Sequence, residues 1–358
     1  MKKWKKISDY LFFQEGPGVR NHQYTSNGVK LLNVANLVNG IVDLSTSERF
    51  ISSDEAYGKY KHFLADEGDL IIASSGIKVD YFDKKMGFIK KEHLPICMNT
   101  STIRFKSIDK SKLDINYFMF YLKSQSFKNQ LSKQITGSAQ LNFGPSHLKK
   151  MEFPIVDIEE QSSINSVLGN IQSQIRFKEE QLTEYDQLIK SRFVEMFESF
   201  EKTDLSNIAE IIMGQSPDSA YYNENGFGLP FFQGKADFGA KYTSVSYWTT
   251  KPSKTAKKGN VLMSVRAPVG PVNISSVDCC IGRGLCSINA IPNKTNNEFL
   301  YNALIAIQDQ ITAMGTGSTF KAINKSDVYA IQLPLAPISL QNEFANFVEQ
   351  VDKLEVIE

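Results

Sequence analysis

Two arginines in the second half of the chain stand in turns and are well suited to recognition chemistry. Arg266 follows an apolar run and enters a turn that closes at Gly270, and Arg283 stands between Gly282 and Gly284. The planar guanidinium group can donate to two acceptors at once, as on the O6/N7 edge of guanine or on a phosphate. Flanking glycines let the backbone approach a ligand closely. These positions predict polar recognition.

The corresponding stretches of the first half carry hydroxyl and amide groups instead of arginine. Residues 72–78 read Ile-Ala-Ser-Ser-Gly-Ile-Lys, and residues 98–102 read Met-Asn-Thr-Ser-Thr. Asparagine suits adenine, and serine or threonine suits either a base or a phosphate. For any one of these stretches taken alone, a solvated loop is the alternative interpretation.

A Thr-Gly-Ser element occurs twice, at residues 136–138 and 316–318, each time after an amphipathic helical stretch. Such a turn can present backbone N–H groups and hydroxyls to a phosphate, and a purely structural turn is the alternative. The predicted recognition residues are Ser74, Ser75, Lys78, Asn99, Thr136, Gly137 and Ser138 in the first half, and Ser264, Arg266, Arg283, Thr316, Gly317, Ser318 and Lys321 in the second.

The sequence contains none of the common motifs of an enzyme active site. There is no HExxH, no CxxC pair, no DPPY or NPPY tetrapeptide, and the four histidines are scattered. The stretch from Gly228 to Lys235 has the wrong spacing for a phosphate-binding loop, and Ala236 stands where a magnesium-binding Ser or Thr would be needed. A nuclease with an unrecognised site is the enzymatic alternative.

These candidate residues lie on a framework that the chain repeats. Thr136-Gly137-Ser138 recurs 180 residues later as Thr316-Gly317-Ser318, in register with Gln161 and Gln341. Upstream, the run that begins at Gly68 corresponds to the run that begins at Gly259. Framework positions repeat while the residues between them differ, which predicts two similar modules that recognise different things.

A long helix is predicted between the modules, from Ile158 to about Phe197, because apolar residues alternate in steps of 4 and 3. About 40 residues at 1.5 Å each give a rod of about 60 Å. A second helix, about half as long, is predicted after Pro337. The predicted interface positions on the two helices are Ile164, Leu168, Ile171, Ile175, Leu182, Tyr185, Ile189, Phe193, Phe344 and Val351.

Composition limits the classes that remain. The chain has 358 residues, 42% hydrophobic and 22% charged, and a net charge of +1, which suits a globular protein that shares any nucleic-acid contacts with partners. The sequence has no run of 18 apolar residues, so no membrane span is predicted, and the basic start lacks the apolar segment of a signal peptide. Four cysteines without a CxxC pair indicate buried thiols in a reducing cytoplasm.

The chain resembles the specificity subunit of Type I restriction–modification systems over essentially its whole length. The segment Ser191–Phe197, the paired Thr-Gly-Ser turns that each lead to a proline before a helix, and the glycine-rich stretch 279–284 carry the resemblance. It implies an α+β fold: two tandem mixed α/β target recognition domains, separated by long antiparallel coiled-coil helices, as a pseudo-two-fold internal repeat. The expected boundaries are 1–157 and 201–337 for the domains, 158–200 for the central helix and 338–358 for the distal helix.

The resemblance further implies a non-catalytic chain in which each domain reads half of a bipartite, asymmetric site in double-stranded DNA. Two methyltransferase subunits and restriction subunits would be its partners, and those partners would bind S-adenosylmethionine, ATP and magnesium. The distal helix departs from the family pattern by its shortness, so half of the seam, from about Leu182 to Met196, is expected to lack an intramolecular partner. A truncated or recombined subunit, self-association through the long helix, and a coiled-coil protein adaptor are the alternatives.

Overall fold

The computed structural model describes residues 3–134, 142–315 and 321–357 of the chain. These residues form two compact units, Met1–Arg176 and Phe177–Glu358. Each unit combines short strands with helices around its own hydrophobic core. The long helix, Ile158–Phe197, contains the boundary between the units.

The first unit contains short strands and helices. Its strands are β1 Lys3–Lys6, β2 Leu11–Glu15, β3 Val29–Leu32, β4 Leu37–Val38, β5 Ile41–Val42, β6 Phe50–Ile51, β7 Leu70–Ala73, β8 Met86–Phe88, β9 Ile96–Met98, β10 Thr102–Ser107 and β11 Glu152–Ile155. Its helices are α1 Ser53–Tyr57, α2 Ile115–Leu122, α3 Gln125–Gln134, α4 Pro145–Leu148 and the first part of α5 Ile158–Phe197.

The second unit repeats this arrangement. Its strands are β12 Lys202–Asp204, β13 Ala209–Met213, β14 Tyr222–Asn223, β15 Leu229–Phe232, β16 Trp248–Thr249, β17 Thr255–Ala256, β18 Val261–Ser264, β19 Val272–Ile274, β20 Cys279–Ile281, β21 Leu285–Ala290 and β22 Gln332–Pro334. Besides the rest of α5, its helices are α6 Leu205–Ile208, α7 Asn297–Ala306, α8 Gln308–Met314, α9 Lys325–Tyr329 and α10 Ile338–Ile357.

The main antiparallel sheet has the same topology in the two units. An antiparallel sheet has the order β2-β10-β7-β8 in the first unit and β13-β21-β18-β19 in the second. In each unit a parallel pair, β3 with β9 or β15 with β20, lies in a second sheet. The first and last strands of each unit pair antiparallel, β1 with β11 and β12 with β22. The predicted α+β fold with an internal repeat and a long connecting helix is therefore confirmed.

Apolar runs in the sequence become the central strands. All four residues of β7 and all four of β18 are buried, as a short continuous apolar run predicts for a strand covered on both faces. Phenylalanines fill the space between sheet and helices, with Phe105, Phe118 and Phe153 fully buried in the first unit and Phe299 and Phe344 in the second. Each unit thus carries its own core.

The interior polar pair at the centre of the sheet differs between the repeats. In the first unit, Arg104 forms a buried ion pair with Asp69 at 3.4 Å, and burial raises the pKa of that carboxyl despite the nearby cations. At the corresponding place in the second unit, Asn260 donates a hydrogen bond of 3.0 Å to Ser287 Oγ. The repeat therefore conserves strand pairing, while its side-chain chemistry diverges even inside the cores.

The distal helix α10 packs against the last turns of α5, antiparallel to it. Phe344 lies 5.5 Å from Phe193 between ring centroids, and Arg192 lies 3.9 Å from Glu343. This follows from the pairing of β12 with β22, because β12 comes shortly after α5 and β22 comes shortly before α10. The end of α5 and the start of α10 are thereby held side by side.

This arrangement corrects the expectation about the unpartnered half of α5. Ile189 and Met196 pack on the second core, Phe193 and Phe344 are buried in it, and Val351 is 3% exposed. Phe193, Phe344 and Val351 therefore serve the interior of the unit and not a subunit interface. Leu182 remains 46% exposed. The apolar side chains left exposed lie mainly further toward the start of the helix: Val167, Leu168, Ile171, Ile175 and Phe177. The half of α5 that was predicted to lack a partner within the chain, from about Leu182 to Met196, is therefore the half that packs against the second core.

A cluster of ion pairs fastens α10 within the second unit. Lys241 Nζ lies 2.6 Å from Asp352 on α10 and 3.0 Å from Glu298 on α7. Burial alone would lower the pKa of Lys241, but hydrogen bonds to the two carboxylates raise it above its ordinary value. The ammonium group is therefore charged at neutral pH and ties α7 and α10 to the loop that carries it.

None of the helices in the described ranges is long and apolar enough to cross a membrane.

Candidate nucleic-acid interface

Each unit has a close approach of backbone that only glycine permits. Gly16 N donates to Thr102 O at 2.9 Å, and Gly214 N donates to Leu285 O at the same distance. A Cβ on Gly16 would lie 2.1 Å from Asn99 O, and one on Gly214 would lie 2.2 Å from Gly282 O. The loop that follows β2 or β13 is therefore pressed against the loop that precedes β10 or β21.

A third loop joins these two at the end of β7 or β18. Ser74 N donates to Ser101 O at 2.8 Å, and Val265 N donates to Gly284 O at 2.9 Å. The next residue along, Ser75 in one unit and Arg266 in the other, forms a β-bridge with Asn142 or Ala322 respectively. Ser75 and Arg266 thus occupy the same place in the two repeats.

The converging segments form one surface in each unit. The first loop surface consists of residues 16, 74–78, 99–101 and 142–144, and the second loop surface consists of residues 214–216, 265–270, 282–284 and 321–324. The predicted Thr-Gly-Ser turns, with Thr136, Gly137, Ser138, Thr316, Gly317 and Ser318, lie outside the described residues. The described segments at 142 and 321 are the chain that follows those turns.

All four charged residues predicted from the sequence are exposed on these surfaces. Arg266, Arg283 and Lys321 are exposed on the second loop surface, and Lys78 is exposed on the first. Ser75 is half-buried, and its Oγ donates to Ser101 Oγ at 2.6 Å. The second surface therefore presents guanidinium and ammonium groups where the first presents mainly hydroxyls.

Three predicted residues are buried instead, and this differs from the expectation of direct contact. Ser74, Asn99 and Ser264 are each no more than 2% exposed. Asn99 Nδ2 donates to Asn33 Oδ1 at 2.8 Å, and Ser264 Oγ donates to Arg266 O at 3.0 Å. Because their polar atoms already have partners within the chain, these side chains shape the loops and do not reach a ligand.

Several surface residues were missed by the sequence argument. Thr100 is exposed beside Asn99, at the position that corresponds to Arg283. In the second unit, Lys254 O accepts from Ile281 N at 2.8 Å, which places Lys254 beside the strand that ends just before Gly282. Lys251, three residues earlier, has its Nζ 5.1 Å from the centroid of the Tyr221 ring. The Lys-Pro-Ser-Lys sequence at 251–254 was the available signal, but it reads equally well as an ordinary loop.

One acidic group lies at the edge of the first loop surface. Burial raises the pKa of Glu15, although a hydrogen bond from Ser74 lowers it. The side chain ends β2 immediately before Gly16. An ionised carboxylate there would repel a phosphate, so the first loop surface has a weaker electrostatic attraction for anions than the second.

Groups that could serve nucleophilic or metal chemistry are not arranged for it in the described part of the chain. Burial raises the pKa of the Cys97 and Cys286 thiols to about 12 and that of Cys279 to about 11, so all three are protonated at neutral pH. Among the residues that the structure covers, no group of three or more His, Cys, Asp or Glu side chains could hold a metal ion.

Comparison with known proteins gives the same family from sequence and the same fold from structure. A family model described as the Type I restriction modification DNA specificity domain matches residues 3–185 and again 198–358. The putative type I restriction enzyme MjaX specificity subunit of Methanocaldococcus jannaschii is 33% identical over 270 residues, which are 69% of this chain and 63% of that protein. The MjaVIII specificity subunit of the same organism is 28% identical over 178 residues, 48% of this chain and 40% of that protein. The alignments therefore span less than two thirds of these curated relatives.

Two solved structures share the fold along nearly the whole chain. The S subunit of a Type I restriction–modification system from M. genitalium superposes with a TM-score of 0.55 at 18% identity, covering 99% of this chain and 90% of that one. A chain from a study of complex assembly and conformational transition of the type I R-M system gives a TM-score of 0.57 at 23% identity, covering 99% and 91%.

Proposed function

The chain belongs to the family of Type I restriction–modification DNA specificity domains, whose model matches both of its halves, and on that premise we propose that it is the non-catalytic DNA-recognition subunit of a Type I restriction–modification complex. Each unit reads one half of a bipartite, asymmetric site in double-stranded DNA. Partner subunits then carry out adenine methylation or cleavage.

The observation that carries this proposal is the equivalence of the two loop surfaces. The same backbone contacts build both surfaces, yet the side chains differ. Ser75 in the first unit corresponds to Arg266 in the second, and Thr100 corresponds to Arg283. A framework that is held constant while the polar side chains at equivalent surface positions vary is what two readers of different sequences need. An asymmetric site follows from that difference.

The second loop surface suits a half-site that contains guanine. Arg266 and Arg283 are exposed and can each donate two hydrogen bonds to O6 and N7 of one guanine. Lys251, Lys254 and Lys321 supply positive charge for neighbouring phosphates. In the first loop surface the hydroxyl groups of Ser75 and Thr100 take the reading positions, and Lys78 supplies the charge.

The exposed apolar side chains of α5 are the proposed contact for partner subunits. Leu168, Ile171, Ile175 and Leu182 are between 37% and 56% exposed, and such a stripe on a long helix marks a protein contact. Two methyltransferase subunits dock there, and restriction subunits join them. S-adenosylmethionine, ATP and magnesium belong to those partners, and the complex works in the cytoplasm.

The near-neutral net charge fits a chain that shares its contacts to DNA with partner subunits. With a net charge of +1, the chain cannot supply a strong non-specific attraction to the phosphate backbone by itself. We assign the first recognition domain to residues 1–157, the spacer helix to 158–200, the second domain to 201–337 and the distal helix to 338–358. Base contacts come from this chain, and much of the phosphate contact comes from the partners.

Mapping of methylated adenines tests this function. The chain is co-expressed with its methyltransferase subunits in a host without other adenine methylation, and modified bases are located by single-molecule sequencing. The expected result is one motif of two short specified runs, separated by an unread gap, with centres about 10 base pairs apart. Cells that lack the chain but keep the methyltransferase are the control and should show no motif.

Three results would contradict the proposal in different ways. A single continuous motif would show that the units do not read separate half-sites. A complex with no DNA binding would point to a protein adaptor. Metal-dependent cleavage of DNA by the purified chain alone would show an enzyme.

A further inference from the structure

A buried glutamine fastens the start of α5 to the first unit. Gln161 is fully buried, although it lies in the first turn of a helix whose other early residues are largely exposed. Its Oε1 accepts a hydrogen bond of 2.9 Å from Asp114 N, and its Nε2 donates bonds of 2.9 Å to Lys112 O and to Val156 O. One side chain thus joins the helix, the residue that follows β11 and the segment that leads into α2.

We call this set of hydrogen bonds around a buried glutamine the clamp. The second unit repeats it at Gln341, in the first turn of α10. Gln341 is 1% exposed, and its Oε1 accepts from Thr295 Oγ1 at 2.9 Å and from Asn296 N at 3.3 Å. Its Nε2 donates to Lys294 O at 3.1 Å and to Ala336 O at 2.8 Å. The corresponding three segments are joined in both units, namely the helix, the chain after the last strand and the chain before α2 or α7.

The hydrogen bonds of each glutamine fix the direction of its helix more than they stabilise the fold. Both amide hydrogens of each glutamine are used, and the carbonyl oxygen accepts a backbone N–H. A buried amide with these partners can be satisfied in only one orientation, whereas an apolar side chain would tolerate a small rotation of the helix. The repeated glutamine is therefore suited to fix the angle at which each helix leaves its unit.

The start of α5 depends on this clamp more than its end does. At the end, Phe193 and Phe197 are buried in the second core. At the start, Ile164 is only partly buried against the first core, and Val167 and Leu168 are already 58% and 37% exposed. In this part of the helix, Asn165 Nδ2 adds one bond of 2.9 Å to Asp114 Oδ2. The exit angle at the first unit thus depends mainly on polar contacts around Gln161.

We propose that Gln161 and its repeat Gln341 are positioning residues of DNA recognition, which fix the exit angles of the helices and thereby the number of unread base pairs between the half-sites. This inference rests on the proposed function. Neither glutamine touches DNA. A loosened joint leaves each loop surface intact, so each half-motif persists while the distance between the two halves becomes less strictly selected.

The test compares three variants of the full chain, each assembled with its methyltransferase subunits. Gln161→Ala removes the clamp, and Gln161→Met removes its hydrogen bonds while keeping most of its volume. Gln172→Ala is the matched control, because Gln172 is exposed on the same helix. Methylated sites are mapped genome-wide, and hydrogen exchange of the Asp114 amide reports whether the clamp is open.

Both Gln161 variants are expected to keep the two half-motifs and to methylate sites whose spacer is one base pair longer or shorter. The ratio of such sites to sites with the wild-type spacer should rise at least tenfold over the Gln172→Ala control, and exchange at Asp114 should accelerate. An unchanged spacer with an open clamp would overturn the inference. Loss of all methylation in both variants would also overturn it, since it would assign Gln161 to folding. Absence of a bipartite motif in the wild type would instead refute the proposed function.

Discussion

Phe197→Ala is expected to lower the free energy of unfolding of the second unit by about 3–5 kcal/mol. Phe197 ends α5 and is fully buried. Its ring lies 4.9 Å from that of Phe299 and 5.5 Å from that of Phe344, so it joins α5, α7 and α10 in one aromatic cluster. Truncation to alanine removes this contact area and leaves a cavity that three helices would have to collapse to fill.

Hydrogen exchange of the α7 and α10 amides measures this loss, since it reports on the second unit separately from the first. Phe177→Ala is the matched control on the same helix, because Phe177 is 62% exposed, and its effect should stay within about 0.5 kcal/mol. Equal effects of the two substitutions would show that the end of α5 is not part of the second core.

Arg266→Ala is expected to reduce methylation of the cognate site by about 5- to 150-fold and to relax the choice of base at one position of one half-motif. A bidentate arginine–guanine contact contributes about 1–3 kcal/mol of discrimination, and 1.4 kcal/mol corresponds to a factor of ten. Arg266 is exposed, and its backbone is held by the bridge to Ala322, so removal of its side chain leaves the loop in place.

Arg266→Lys separates base reading from phosphate contact. Lysine keeps the positive charge but lacks the planar fork, so the variant should also lose discrimination at that base if Arg266 reads guanine. A uniform loss of methylation at all sites, with the motif unchanged and lysine nearly as good as arginine, would mean a phosphate contact. A change in the other half-motif would contradict the assignment of Arg266 to the second half-site.

The architecture was predictable because it is written in periodic patterns. The spacing of apolar residues from Ile164 onward predicted α5, and the structure places it at Ile158–Phe197. The repeated runs that begin at Gly68 and Gly259 contain β7 and β18, and these strands lie in four-stranded antiparallel sheets of identical order. These signals are local, or they recur at a fixed distance, so one sequence is enough to find them.

The roles of individual polar residues were not predictable in the same way. Asn99 and Arg283 lie in corresponding loops, yet one is buried against Asn33 and the other is exposed. That difference depends on contacts between segments far apart in the chain. The pairing of Gln161 with Gln341 was visible in the sequence, but its meaning required the positions of the carbonyl groups around each amide.

The direction of helix pairing shows the same limit. The sequence indicated that α10 is about half as long as α5, but the choice of which half it covers depends on the pairing of β12 with β22. That pairing brings together residues 202–204 and 332–334, and no local pattern reveals it. The exposed stripe therefore lies on the earlier part of α5.

Exchange of residues 201–337 for the corresponding domain of a related subunit with a known motif, followed by genome-wide mapping of methylated adenines, tests the division of labour between the two units most directly. We predict a hybrid motif: the half read by residues 1–157 stays the same, the other half becomes that of the donor, and the spacer is retained because α5 is unchanged. A change in both halves, or an unaltered motif, would contradict the proposal that each unit reads its own half of the site.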